Sequence, residues 1–107
     1  MANTKPLSGY RVIELGQLLA GPFAGSLLAY FGAEVIKVEP PGGGDPLRNW
    51  RVLKDGTSLW WRSLGRNKKC ITLDLKTDKG RELAGQLIDG ADVLIENFRP
   101  GVMEKWG

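Results

Sequence analysis

Tyr10-Arg-Val-Ile-Glu-Leu15, Gly16-Gln-Leu-Leu-Ala-Gly21 and Glu34-Val-Ile-Lys-Val38 decide the fold between them. The first and third are short runs rich in β-branched residues, as strands require. Gly16 and Gly21 bracket a turn, Pro22 suits the first position of a helix, Phe23 to Phe31 supplies its apolar body, and Gly32 closes it. Strand, tight turn, helix and strand, joined by a few residues each, form the pattern of a right-handed parallel crossover.

Beyond this unit, Pro40-Pro-Gly-Gly-Gly-Asp-Pro46 can be neither helix nor central strand. It reads as a long loop, where function often resides. Thr57 to Leu64 reads as a short helix carrying Trp60 and Trp61, and Lys69-Cys-Ile-Thr-Leu-Asp-Leu75 as a third strand. Thr77 is a suitable N-cap, Asp78 favours a helix start, and Leu83, Leu87 and Ile88 share one apolar face before Gly90 stops the helix. Ala91-Asp-Val-Leu-Ile-Glu96 is a fourth strand, and Pro100 to Trp106 opens another helix. Strands separated by helices imply an α/β fold, a parallel sheet with helices on both faces. The last helix has barely begun and four strands make a narrow sheet, so residues 1–107 read as one domain-sized part of a longer chain.

The composition agrees with one globular core: 107 residues, 42% apolar and 25% charged. A net charge of +3, spread along the chain, suits an anionic small ligand and lacks the dense basic stripe of a nucleic-acid binder. Arg62, Arg66, Lys68 and Lys69 do cluster beside Trp60 and Trp61. No RNA or DNA motif surrounds them, so they read as a solvated turn with the tryptophans in the core. No nucleic acid is expected as partner. The lone Cys70 excludes an internal disulfide and fits a reducing cytoplasm. With no histidine and one cysteine, no metal is expected.

Met1 to Pro6 is polar and carries no signal core. Leu18 to Ala33 is uncharged for 16 residues but is interrupted by Gly21, Pro22, Gly25 and Gly32. It is also shorter than the roughly 20 residues of a spanning helix. It reads as buried structure, and no membrane is expected.

The turn Gly16 to Gly21 stands where dinucleotide folds place a phosphate loop, and Glu39 where a ribose-binding acid would stand. The Gly-x-Gly-x-x-Gly spacing is missing, and Pro22-Phe23 replaces the Lys-Ser/Thr of a P-loop. The preferred reading is close helix–sheet packing at Gly21 and Gly25, with Glu39 capping a strand in solvent. A nicotinamide enzyme is not expected. Asn97-Phe-Arg-Pro-Gly101 lies on the C-terminal edge of the sheet, where ligands of open α/β sheets gather. Asn97 offers a donor and an acceptor, Phe98 a stacking face, and Arg99 a fork for phosphate. Equally, Asn97 could serve only to satisfy backbone groups. Asp74 and Lys76 follow strand three on the same edge, so two strand ends could converge on one anion. Histidine-based catalysis is impossible, and no spacing pairs any of Glu14, Glu39, Asp45, Asp74 and Glu96. No catalytic residue emerges.

Several stretches together carry a resemblance: Pro6 to Leu15, Ala20-Gly-Pro-Phe-Ala24, Phe31 to Pro40, Gly44-Asp45, Arg48, Arg66-Asn-Lys-Lys69, Leu73-Asp-Leu-Lys76 and Asp92 to Gly101. In order and spacing they are similar to the N-terminal portion of the family III CoA-transferases. That family includes formyl-CoA, carnitine-CoA and succinyl-CoA transferases and the α-methylacyl-CoA racemases. The resemblance implies a Rossmann-like large domain whose strand ends hold coenzyme A. By position, CoA contacts would come from Leu19, Ala20, Pro40, Leu73, Asp74, Leu75, Lys76, Asn97, Phe98, Arg99 and Lys105, the last facing a phosphate. Trp50 matches a tryptophan beside the active site of formyl-CoA transferases.

The resemblance further implies an acyl-CoA and a carboxylic acid as substrates, and an aspartate nucleophile. That aspartate would form an acyl-aspartyl anhydride and then an aspartyl-CoA thioester. It would lie beyond residue 107, so this chain alone is expected to be inactive. Family members are interlocked homodimers, and exposed sheet edges here make self-association expected. Formyl-transferring members carry glutamine immediately before Ala-Gly-Pro, where this chain has Leu19, which speaks against a formyl or oxalyl substrate. The racemase branch and a non-catalytic nucleotide-binding or assembly module are the competing readings.

Overall fold

The β-branched run at the start forms β1, Arg11–Glu14, in a computed structural model that describes residues 4–107. The polar start at Met1 to Asn3 lies outside the described residues. Then follow α1, Ala20–Tyr30, and β2, Glu34–Glu39. A 3-10 turn, Pro46–Asn49, leads into a hairpin of β3, Leu53–Lys54, and β4, Thr57–Ser58. The chain continues with α2, Leu59–Leu64, β5, Lys68–Thr72, and α3, Asp78–Asp89. It finishes with β6, Val93–Ile95, and α4, Val102–Trp106.

The main sheet has the order β5-β2-β1-β6 and every pair in it is parallel. The four long runs read from the sequence thus lie in the order three, two, one, four, as in a Rossmann-like sheet. Register sorts their side chains onto two faces. Val12 and Glu14 of β1 stand beside Val35 and Lys37 of β2, and Val35 and Lys37 stand beside Lys68 and Cys70 of β5. On that face Val12, Val35, Ala29 and Ala33 form one small core under α1. On the opposite face Ile13, Leu15 and Val38 form a second core, closed by Leu87 and Ile88 of α3 and by Phe98 and Met103. Helices therefore cover both faces, as a parallel sheet demands.

The structure corrects several details of the sequence reading. Helix α1 begins at Ala20, so Pro22 occupies its third position, where a missing N–H still costs no intrahelical bond. Leu73, Asp74 and Leu75 fall outside β5, which ends at Thr72. Thr57 belongs to a hairpin strand, and Ser58 caps α2 by accepting from the N–H groups of Trp60 and Trp61. The hairpin turn is Asp55-Gly56, with φ of 52° and 76°, as a type I′ turn requires. The tryptophans are not core residues. Trp60 is 43% exposed, and Trp61 is half-buried beneath the Arg48 guanidinium, 3.8 Å from the ring centroid. Among the described residues no helix is long and apolar enough to cross a membrane.

Candidate functional site

The C-terminal ends of β1, β2, β5 and β6 meet at one edge of the sheet, and the turn Gly16 to Gly21 crosses it. Asn97, just past β6, fixes this turn. Its Oδ1 accepts from the N–H of Gln17 at 2.8 Å and its Nδ2 donates to the Gln17 carbonyl at 2.9 Å. The approach is so close that a Cβ on Gly16 would stand 2.4 Å from Asn97 Oδ1, and one on Gly21 would stand 3.2 Å from it. Gly16 is thus demanded, and Gly21 favoured, by a residue just past the neighbouring strand β6.

Under α1 lies a buried chain of charges. Lys37 Nζ donates to Glu14 Oε2 at 2.7 Å and to the Gly16 carbonyl at 3.1 Å, and pairs with Asp45 Oδ2 at 2.8 Å. Lys68 Nζ pairs with Glu14 Oε1 at 2.7 Å and donates to the Pro22 carbonyl at 2.8 Å. Glu14 Oε1 and Asp45 Oδ2 meet these ammonium groups at ion-pair distance, though outside hydrogen-bonding angles. The side chains of Glu14, Lys37 and Lys68 are fully buried. Gly25 of α1 makes room, since a Cβ there would collide with Glu14 Oε1. Two cations and two anions balance, which is what allows so many charges to be dry.

The two lysines respond differently. Burial presses Lys37 downward, but the Glu14 and Asp45 carboxylates together outweigh it and hold Lys37 above the ordinary lysine value. For Lys68 burial prevails over its single carboxylate, Glu14, and its value falls below the ordinary one. Glu39 extends the ionic system toward the loop, accepting from Arg48 at 2.7 Å on each oxygen and from the Asp45 N–H at 3.0 Å. Burial works against its ionisation, yet Arg48, the Asp45 N–H and Lys37 hold it below the ordinary carboxylate range. Glu39 is only 4% exposed, so the expectation of a strand cap in solvent fails. So does the solvated turn at Lys68.

Two clefts open on this edge. One, of about 400 Å³, is lined by Pro40, Leu73, Asp74, Leu75, Lys76 and Phe98, beside Gln17 and Trp106. The other, of about 570 Å³, is lined by Leu19, Ala20, Asn97, Phe98 and Arg99, beside Gln17, Leu18 and Trp50. Gln17 and Phe98 belong to both and form the wall between them. Phe98 is braced edge-on by Trp106 with ring centroids 5.3 Å apart. Lys105, on α4, lines neither cleft. Lys76 and Arg99 are both exposed, one beside each cleft, so the two strand ends offer two adjoining positive positions. Asp74 is occupied locally: its Oδ1 accepts from the Lys76 N–H at 3.0 Å and its carbonyl from Thr77.

Sequence reasoning missed the buried charges and the role of Asp45. The signal was present: Glu14, Lys37 and Lys68 interrupt runs that a doubly covered parallel strand should keep apolar. Among the described residues no group of three His, Cys, Asp or Glu is placed to hold a metal ion.

The sequence profile of CoA-transferase family III matches residues 7–107. The chain is 59% identical over 104 residues to a succinyl-CoA–D-citramalate CoA-transferase of Chloroflexus aurantiacus, covering 96% of this chain and 26% of that protein. It is 47% identical over 105 residues to a formyl-CoA:oxalate CoA-transferase of Rhodopseudomonas palustris, covering 97% of this chain and 25% of that one. A crystal structure of a CAIB/BAIF family protein from Brucella suis superposes with a TM-score of 0.87 at 41% identity, over 97% of this chain and 29% of that one. The chain therefore spans about a quarter of the length of the curated relatives it matches.

Proposed function

The chain belongs to CoA-transferase family III, and from that premise we propose that its two adjoining clefts hold the nucleotide part of CoA. Pro40 and Leu73 to Lys76 would line one part of the ligand, and Leu19, Ala20 and Asn97 to Arg99 the other. Lys105 would meet a phosphate from α4. The observation that carries this reading is the position of the clefts. They lie at the C-terminal ends of parallel strands, where such sheets bind nucleotides, and each has a cation at its side, Lys76 or Arg99. Among the described residues neither cation is paired with a carboxylate, so both charges are free to meet phosphate.

In the whole protein the bound CoA would move from an acyl-CoA to a carboxylic acid through a carboxylate nucleophile outside these residues. The likeness to a succinyl-CoA-dependent relative and Leu19 before Ala20-Gly21-Pro22 make a succinyl-CoA donor the first to try. We place the protein in the cytoplasm and expect it to form a homodimer. This chain contributes binding and orientation. The Asn97–Gln17 clamp fixes the wall between the clefts, and the buried ion chain fixes the turn behind it.

Titration of the purified chain with CoA at low salt tests the reading. The double variant Lys76→Ala/Arg99→Ala should weaken binding by at least about tenfold, as the loss of two phosphate partners predicts. An unchanged affinity would reject the assignment of these clefts to CoA. Steep weakening with added salt is the accompanying sign of charge-led binding.

A further inference from the structure

Asp45 is 1% exposed and joins three parts of the structure. Its Oδ1 accepts from the N–H of Leu18 at 3.0 Å and from the N–H of Leu47 at 2.9 Å. Its Oδ2 faces Lys37 Nζ at 2.8 Å. Leu18 has a φ of 62°, in the left-handed region that a leucine rarely adopts. Such strain persists only where the surroundings over-determine it. Here the Gly16 carbonyl is held by Lys37, both backbone groups of Gln17 by Asn97, and the Leu18 N–H by Asp45.

Asp45 lines neither cleft, yet it sets two walls of the larger one. Through Leu18 it holds the turn that continues into Leu19 and Ala20. Through Leu47 it caps the 3-10 turn, and Trp50, which follows that turn as its C-cap, forms another part of the same lining. One carboxylate thus couples the β1–α1 turn to the loop after β2, and Lys37 anchors it from below.

We propose that Asp45 is a positioning residue, which keeps Leu18 in its strained form and so gives the cleft at Leu19, Ala20 and Trp50 the shape that receives its ligand. The proposal rests on the reading of these clefts as the CoA site. It assigns no chemistry to Asp45 itself, which stays out of ligand reach.

The test compares Asp45→Asn with Asp45→Ala in the purified chain. Both remove the charge facing Lys37, but only Asp45→Asn keeps an oxygen for the N–H groups of Leu18 and Leu47. The Leu18 amide should exchange at least about tenfold faster in Asp45→Ala than in Asp45→Asn, as the loss of its hydrogen bond predicts. The CoA dissociation constant should be at least about tenfold larger in Asp45→Ala than in Asp45→Asn. If either variant fails to unfold cooperatively, the same pair is compared in a Lys37→Met background, where no ammonium is left facing residue 45 and Glu14 keeps Lys68. Equal Leu18 exchange in the two variants would overturn the proposal. So would equal CoA affinity in the face of a freed Leu18. A wild-type chain that binds no CoA would instead reject the ligand reading, and Leu18 exchange would then decide alone whether Asp45 holds the turn.

Discussion

Asn97 and Gln17, 80 residues apart in the chain, exchange two hydrogen bonds and so tie the end of the last strand to the turn after the first. The contact leaves no room for a side chain on Gly16. Gly16→Ala should therefore break the exchange and cost about 1–3 kcal/mol, the worth of two hydrogen bonds. Urea unfolding of Gly16→Ala, Asn97→Ala and the double variant measures this. We expect the two losses to be coupled by about 1 kcal/mol or more, and strictly additive losses would count against the clash.

Glu14 is the shared counter-ion of Lys37 and Lys68, so the two ends of that arrangement are unequal. Glu14→Gln leaves both buried ammonium groups short of a partner and should cost about 3–5 kcal/mol. Lys68→Met leaves Glu14 still neutralised by Lys37 and should cost clearly less. Denaturant midpoints of the two variants decide the order, and a larger loss for Lys68→Met would contradict the shared role of Glu14.

Helix α3 contains two glycines in opposite situations. A Cβ on Gly80 would run into the Asp74 carbonyl, whereas one on Gly85 meets nothing within 4 Å. Gly85→Ala should stabilise by about 0.5–1 kcal/mol, since alanine is the better helix former. Gly80→Ala should destabilise and shift the backbone of Asp74, at the rim of the smaller cleft. Thermal unfolding distinguishes them by the sign of the change in midpoint.

Acid should loosen the fold through Glu39. Its carboxyl is held below the ordinary range in the folded chain by Arg48, the Asp45 N–H and Lys37, despite burial. The unfolded chain therefore takes up this proton first on acidification, and the stability Glu39 contributes is present above its ordinary value and lost as pH falls through the folded one. Thermal midpoints should drop between about pH 5 and pH 3 in the wild type. Glu39→Gln should start lower and decline less steeply; an identical slope would mean that other carboxylates govern the acid limb.

The four long strands and the helices between them were legible because each is announced by a run of the right period and bounded by glycine. Their order in the sheet was not, because it follows from which strands pair, β5-β2-β1-β6, and no single run carries that. The β3–β4 hairpin was overlooked, because two residues per strand are too few to show alternation, although Asp55-Gly56 was the signal that could have found it. Trp60 and Trp61 looked like core residues by chemistry alone; Ser58 caps their helix at a place where only one ring is half covered.

The candidate site was legible in part. Its sheet edge followed from the alternation of strands and helices, and the resemblance supplied the residues expected to contact CoA there. The burial of Glu14, Lys37, Lys68 and Asp45 was not. A charge in a strand reads as a solvent-facing position, and only the pairing of three strands and a loop shows that the charges cancel. By its chemistry Asn97 suits either a ligand contact or a backbone partner; the structure shows it as the backbone partner of Gln17 and also in the lining of the larger cleft.

The sheet order also bears on the sequence of events in folding. The central strand β1 is tied to β2 by Lys37 and Glu14, 23 residues apart, whereas the tie to β6 at Gln17 and Asn97 spans 80. Closing the shorter loop loses less chain entropy, so β1 and β2 should zip together first and β6 should dock late. Pulse-labelled refolding would show amides of β6 protected after those of β2, and the reverse order would refute it. The wall between the clefts depends on that last docking, so both clefts should take shape only at the end of folding.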